Sequence, residues 1–281
     1  MVQLLKKVVA VVIFAFTTNL YAWDSNGHKL IAEIAYENLT PNAKEAALQL
    51  LQTPGPWYPH PLSFSNSAAW ADWIRPNTSQ YDTWHYINLP YCGSDICLNQ
   101  ITASPNIVTA IQLDAAILQN KEASAVEQGA ALRFYLHWLG DIHQPLHAIS
   151  YYSSSYPHGD AGGNRYLLQD SVYPNLHAFW DGGCGLWPQN KNLSKRDIRT
   201  LAKEWQALYP PKEFAAALAD NDPLNWAKDS HALAVEYAYE AAPRHSISLK
   251  AQKNAQIVCE KQIVLAGYRL AQNLNACYSM H

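Results

Sequence analysis

His137 and Asp141 stand four residues apart, so on a helix their side chains project from one face and can meet a single ion. They open the densest chemical segment of the chain, His137-Trp138-Leu139-Gly140-Asp141-Ile142-His143-Gln144-Pro145-Leu146-His147. His147 falls beyond Pro145, where the chain can turn toward a second site. His177 and Asp181 repeat the four-residue spacing just after Pro174 and Asn175, which suit a helix start. Neutral imidazole with carboxylate is a zinc-type ligand set. One such pair alone is more often a surface hydrogen bond or a helix-cap contact than a ligand set. Two pairs plus His147 reverse that, because packing needs none of these groups and burying them without partners costs about a few kcal/mol each. His143 stays open between two roles, orienting a ligand or satisfying a core carbonyl.

The elements that must position these residues are helices. Leu30, Ile31, Ile34 and Ala35 recur at helix spacing, as do Ile107, Val108, Ile111 and Ala115. Ser124 and Glu127 form a capping box opening a helix with the stripe Leu132, Leu136 and Leu139, which Pro145 is expected to end. Asp222-Pro223 reads as cap and first residue of a helix through Trp226 and Leu233 to Tyr237, and Ile257, Ile263, Leu270 and Leu274 suggest a long C-terminal helix. Between Tyr151 and Asn175, Ser, Tyr, Gly and Pro cluster into a long loop with a short hairpin expected at Tyr166 to Leu168. The fold class is mainly α. No linker, charge run or internal repeat divides the chain.

The first 22 residues are laid out as a secretory signal. Lys6 and Lys7 precede the apolar run from Val8 to Phe16, and small residues end at Ala22. An uncleaved anchor or a core helix is the competing reading of this segment. The run is shorter than the roughly 20 residues that span a bilayer. Cleavage would leave one domain over 23–281 beginning at Trp23, secreted or periplasmic. In such a compartment the five cysteines (Cys92, Cys97, Cys184, Cys259 and Cys277) read as disulfides, with Cys92 and Cys97 closing a short loop and one thiol left over. The formal charge is −3, and removing Lys6 and Lys7 takes it to −5. That excludes gripping duplex DNA through a basic face. Positive charge for phosphate chemistry must then come from metal ions.

Six ordered segments together resemble one known family, the zinc-dependent type I nucleases of the mung bean nuclease type. They are Trp23-Asp24-Ser25-Asn26-Gly27-His28, Ala69-Trp70-Ala71-Asp72, Trp84-His85-Tyr86-Ile87-Asn88, His137 to His147, Gly162-Gly163-Asn164, and Asn175-Leu176-His177 with Trp180-Asp181. The resemblance implies a single-domain, multi-helix fold of the phospholipase C and nuclease type. It also implies three zinc ions. Asp72, His85, His137 and Asp141 would hold one. The amine and carbonyl of Trp23 with His28 and again Asp141 would hold a second, and His147, His177 and Asp181 a third. Three zinc ions against three ligand carboxylates would leave the cleft near about +3 inside an acidic protein, drawing phosphate there. The close pair would ionise a water for attack on phosphorus, and the third ion would stabilise the departing 3′ oxygen, giving 5′-phosphorylated products. Asp72 and Asp141 are thereby catalytic, with Arg75 adding charge stabilisation at the phosphate.

The expected substrates are single-stranded DNA and RNA, with nucleotides for an accompanying 3′-nucleotidase activity. The expected enzyme is a monomer without stable membrane association. Tyr86 would stack on a base beside the metals and Asn88 would bond its edge, although fungal members often carry an acid at the Asn88 position. Asn164, after two glycines, is a further contact. Tyr173, Tyr151, Tyr152 and Tyr156 offer another stacking surface, but with 33 aromatic residues in the chain a core role is equally open to each. Two other functions compete. Bacterial zinc phospholipases C share the ligand arrangement, with a glutamate where this chain has Asp181. An exported zinc-binding or adhesion protein without catalysis would show saturated metal sites and no Arg75 beside them.

Overall fold

A computed structural model describes residues 23–55, 57–58, 60–93, 102, 104–189, 191–240 and 243–279. The signal segment and Cys97 lie outside the described residues. Eleven α-helices are present among them: α1 (Ser25–Asn38), α2 (Pro41–Gln52), α3 (Phe64–Ala68), α4 (Trp70–Ile74), α5 (Ile107–Gln119), α6 (Ala125–Asp141), α7 (Leu176–Asp181), α8 (Lys195–Leu208), α9 (Ala215–Ala219), α10 (Pro223–Tyr237) and α11 (Leu249–Tyr278). The mainly α class follows directly.

Local chemistry explains where the helices begin. The Asp24 carboxylate accepts the backbone N–H groups of Asn26 and Gly27 at the head of α1, and Thr40 caps α2 with Pro41 in its first turn. Capping boxes open α5 at Asn106 and Thr109, α6 at Ser124 and Glu127, and α8 at Ser194 and Asp197. Asn175 caps α7 and Asp222 caps α10.

The helices are layered around α6, buried at every residue from Ala131 to Asp141. It lies against α1, α2, α3, α4, α5 and α11, while α11 runs along α1. A helix apolar on all sides is one surrounded by others. Two buried guanidinium groups tie the layers together. Arg133 donates to the carbonyls of Gly129, Leu51 and Thr53 and lies over the Tyr58 ring, and Arg269 on α11 donates to His143 Nε2 and the Ala217 carbonyl. The described helices include none long and apolar enough to cross a membrane.

Two expectations are corrected here. The hairpin expected at Tyr166 to Leu168 is reduced to a single antiparallel bridge, Leu167 to Asn175, flanked by backbone bonds from Leu168 N–H to Pro174 O and from Leu176 N–H to Tyr166 O. The strands are instead β1 (Leu89–Tyr91) and β2 (Ile149–Tyr151), paired in parallel with Leu89 opposite Ile149, so the connection between them is a long crossover through α5 and α6. Helix α6 also stops at Asp141, before Pro145, which opens a 3-10 turn over Pro145–Ala148. Proline restricts its predecessor, Gln144, to extended backbone, and the reversal from Ile142 onward accommodates it.

Close approach of α1 and α11 rests on Gly267. A Cβ there would sit 2.6 Å from Ile34 Cγ2 and 2.7 Å from Ile34 Cβ, which cannot swing away. Gly267→Ala is therefore expected to lower the unfolding free energy by about 1–3 kcal/mol, measured by urea denaturation.

Candidate metal centre

Four elements deliver one buried cluster. Helix α1 brings His28 and α4 brings Asp72. The 3-10 turn Asp82–His85 brings His85, and the last turn of α6 brings His137 and Asp141. All five are at most 3 % exposed. Asp141 Oδ1 lies 3.2 Å from His28 Nε2, while its Oδ2 lies 2.9 Å from His85 Nδ1 and 3.2 Å from His137 Nε2. Asp72 Oδ1 is 3.6 Å from His137 Nε2 and 3.8 Å from His85 Nδ1. The two oxygens of Asp141 thus face two adjoining spaces. A second cluster joins His147 of the 3-10 turn to His177 and Asp181 of α7, with imidazole-to-carboxylate distances of 3.9 and 3.4 Å.

Ligand atoms around a tetrahedral ion with bonds of about 2.0–2.1 Å stand about 3.3–3.4 Å apart. The observed spacings bracket that value. The described residues contain three groups able to hold a metal ion: His28, His137 and Asp141; Asp72, His85 and His137; and His147, His177 and Asp181. Some of the donor atoms also lack any hydrogen-bond partner. His28 Nδ1 and Nε2, Asp72 Oδ1, His85 Nε2, Asp141 Oδ1 and His147 Nε2 are buried with no hydrogen bond. Orphaned buried donors of this kind in a native core call for an ion.

Backbone carbonyls set the imidazole tautomers. His137 Nδ1 donates to Ala68 O at 2.7 Å, His147 Nδ1 to His85 O at 2.6 Å and His177 Nδ1 to Gly162 O at 2.6 Å. A carbonyl only accepts, so each Nδ1 carries the proton and each Nε2 presents a lone pair inward. Burial acts in the same direction, holding His28, His85 and His147 well below the ordinary histidine range and His137 below it. The same burial pushes Asp72 up to about 7, with His137 opposing and Asp141 adding to the shift, and raises Asp141 and Asp181 well above the usual carboxylate range. Without cations, burial favours the protonated form of each acid.

Several contributors carried no periodic signal. Gln144, fully buried, donates from Nε2 to Asp181 Oδ1 at 2.6 Å and accepts Leu146 N–H, so it aims the carboxylate of α7. Gly140 leaves space for the His28 ring, since a Cβ there would sit 2.7 Å from His28 Nδ1. Trp138 stands edge-on to His85 and donates its indole N–H to the buried Asp114. The two readings of His143 resolve toward the core: it donates to Leu139 O and accepts Arg269 Nη1, away from both clusters.

A cleft of about 90 Å³ opens onto the clusters, lined by Arg75, His85, Tyr86, Asn88, Leu146, His147, Ala161, Gly162, Asn164 and His177. Arg75 reaches between Asp72, 3.9 Å from Nη1, and Asp82, 3.5 Å from Nε. Gly162 and Gly163 have φ of 60° and 83°, and a Cβ on Gly162 would clash with the Leu146 carbonyl, so these glycines let the loop lie close over the site. Tyr173 does not line the cleft. It is buried, set edge-on to Phe179 and pressed against Gly182. Tyr151 and Tyr156 pack with Tyr91, Tyr166 and Tyr239 in an aromatic cluster of their own. Trp23 is fully buried, its indole donating to Gly140 O, and its neighbour Asp24 donates its backbone N–H to Asp181 O.

Buried imidazoles and carboxylates converging from separate helices beneath an arginine-rimmed cleft define a helical hydrolase of the metal-centred kind. The chain belongs to the S1/P1 nuclease family, whose family model matches residues 23–279. It is 26 % identical to nuclease P1 of Penicillium citrinum over 90 % of this chain and 97 % of that protein. Nuclease S1 of Aspergillus oryzae is also 26 % identical, over 89 % of this chain and 90 % of the relative. Endonuclease 2 of Arabidopsis thaliana is 30 % identical across 58 % of this chain, which spans 56 % of that relative's length. The protein is accordingly a nuclease.

Two outcomes are expected. In the metal-stripped protein, carboxyls whose folded pKa is raised stabilise the fold at low pH, and that contribution is lost as pH rises through the folded value. Above pH 7 each buried histidine loses only a residual unfolded-state charge, worth roughly 0.1 kcal/mol in the opposite direction from pH 7 to 8, so the acids dominate. The unfolding free energy of chelator-treated protein, read from urea denaturation, should fall from pH 7 to 8, by up to about 1.4 kcal/mol per pH unit for each carboxyl still protonated. Zinc-loaded protein should show no such slope. Separately, Gln144→Leu should weaken binding of one ion by about 10–100-fold in chelator competition.

Proposed function

We propose that this chain is exported, loses residues 1–22, and works as a single domain over 23–281 that hydrolyses single-stranded DNA and RNA with three zinc ions. The observation that carries the reading is Asp141, whose two oxygens face His28 on one side and His85 with His137 on the other, in a core where Asp141 Oδ1 and both His28 nitrogens have no hydrogen-bond partner. Asp72, His85, His137 and Asp141 would hold one zinc and His28, Asp141 and Trp23 its neighbour. His147, His177 and Asp181 would hold the third. When bound, zinc supplies Lewis acidity toward phosphate and lowers the pKa of a water to near neutrality.

The protein's own groups do the rest. Arg75, 16 % exposed at the cleft, can turn its guanidinium to the non-bridging oxygens of a phosphodiester while Asp82 holds its Nε. Tyr86 presents a ring for stacking and Asn88 an amide for a base edge, both on the cleft wall. Asn164 spends one donor on Ala161 O, which steadies the loop where a nucleotide would pass. Stacking needs an unpaired base, which favours single strands over duplex. Trp23 lies against α1, where a Cβ on Gly27 would be 2.7 Å from Trp23 Cβ, so cleavage after Ala22 would free an amine just ahead of α1, five residues before His28.

The test is metal analysis of the mature protein with turnover of single-stranded DNA, RNA and phosphatidylcholine. Three zinc ions per chain and nucleic-acid turnover are expected. Fewer than two ions, or lipid turnover alone, would refute the proposal. A variant retaining one residue before Trp23 carries an amide in place of the amine and should lose most activity and part of its zinc. Unchanged zinc and rate would remove Trp23 from the ligand set.

A further inference from the structure

We propose that Cys184 and Cys259 are joined by a disulfide in the exported protein, stapling the turn behind α7 to α11. Their sulfurs lie 3.3 Å apart, and both residues are fully buried. A disulfide needs about 2.0 Å, so bond formation requires an approach of about 1.3 Å. The surrounding contacts already hold the two backbones together. The Cys184 carbonyl accepts the side-chain amides of both Gln252 and Gln256, each at 3.1 Å, which lie about two turns and one turn before Cys259 on α11.

Cys184 occupies the left-handed region at φ 55°, between two glycines that also have positive φ. A side-chain-bearing residue pays strain there, and a covalent tie is one reason to retain it. Position gives the bond its role. Cys184 stands three residues after Asp181, so the staple would fasten the end of the helix that carries His177 and Asp181 to the longest helix of the fold. The cross-link encloses α8, α9 and α10, and a long enclosed loop gives the unfolded chain much entropy to lose. Cys92 is already disulfide-bonded, so Cys277, half-buried against Leu118 O, becomes the leftover thiol of the five.

The chemistry balances through disulfide exchange with a small-molecule or protein disulfide. One cysteine thiolate attacks a sulfur of the oxidant and displaces its first thiolate. The other attacks the resulting mixed disulfide at the protein sulfur and displaces the second. Two protons and two electrons leave with the reduced oxidant. Burial pushes the Cys184 thiol well up, so exchange takes place before the core closes.

The inference rests on the export proposed above only for the oxidising compartment. Mature protein, either exported or refolded in a glutathione redox buffer, is unfolded in guanidinium with iodoacetamide and no reductant, then digested for peptide mass analysis. A linked Cys184–Cys259 peptide is expected, with label on Cys277 alone. Label on Cys184 and Cys259 overturns the proposal. The double variant C184A/C259A should melt about 5–15 °C below the parent, and dithiothreitol should lower the parent by more than it lowers the variant. Equal melting temperatures without reductant also overturn it. Neither readout involves zinc or turnover, so failure of the nuclease reading or of export would leave this result standing by itself.

Discussion

Asp141 imposes the constraint on which the rest of the structure depends. A carboxylate with no exposed surface must find a proton or a cation, and its neighbours are three imidazoles that burial keeps neutral. No arrangement of the protein alone satisfies this group well. The centre is an acceptor-rich space whose favourable state includes positive ions. Such a space stays open only if the surrounding helices prevent collapse, and α6 is enclosed on all sides for that reason.

Rigidity reaches the ligands through backbone rather than through long side chains. Carbonyls of Ala68, His85 and Gly162 each fix one ring, and those carbonyls belong to three different segments. His85 takes part twice, presenting its own Nδ1 to the Asp141 cluster while its carbonyl orients His147 of the other cluster. The two clusters are therefore linked by one residue. A second link runs through Asp24, whose N–H meets Asp181 O while its carboxylate caps α1 and accepts the Trp187 indole. Displacing the N-terminal segment would disturb both sides of the cleft.

Electrostatics divides the molecule in two. The chain is acidic overall, yet the cleft carries Arg75 and overlies groups suited to cations. Arg75 thus places positive charge at the cleft, and ions held there would add to it. Asp82 restrains Arg75 from the solvent side and Asp72 from the cluster side, leaving its remaining donors at the cleft.

Much of this was legible in the order of residues. Helix spacing identified α1, α5, α6, α10 and α11, because each buries a stripe whose period survives in sequence, and short-range caps located the starts of α6 and α10. The pairs His137 with Asp141 and His177 with Asp181 were legible for the same reason: a helix turns four residues into one neighbourhood. The partners from other helices, His28, Asp72 and His85, came from resemblance, since no local period connects them to α6. Tertiary structure alone decided the parallel pairing of β1 with β2, the core positions of Tyr173 and His143, and the aiming of Asp181 by Gln144. It also decided which thiols meet. These depend on contacts between segments far apart in the chain, whose geometry is set by how whole helices pack, and local pattern carries no record of that.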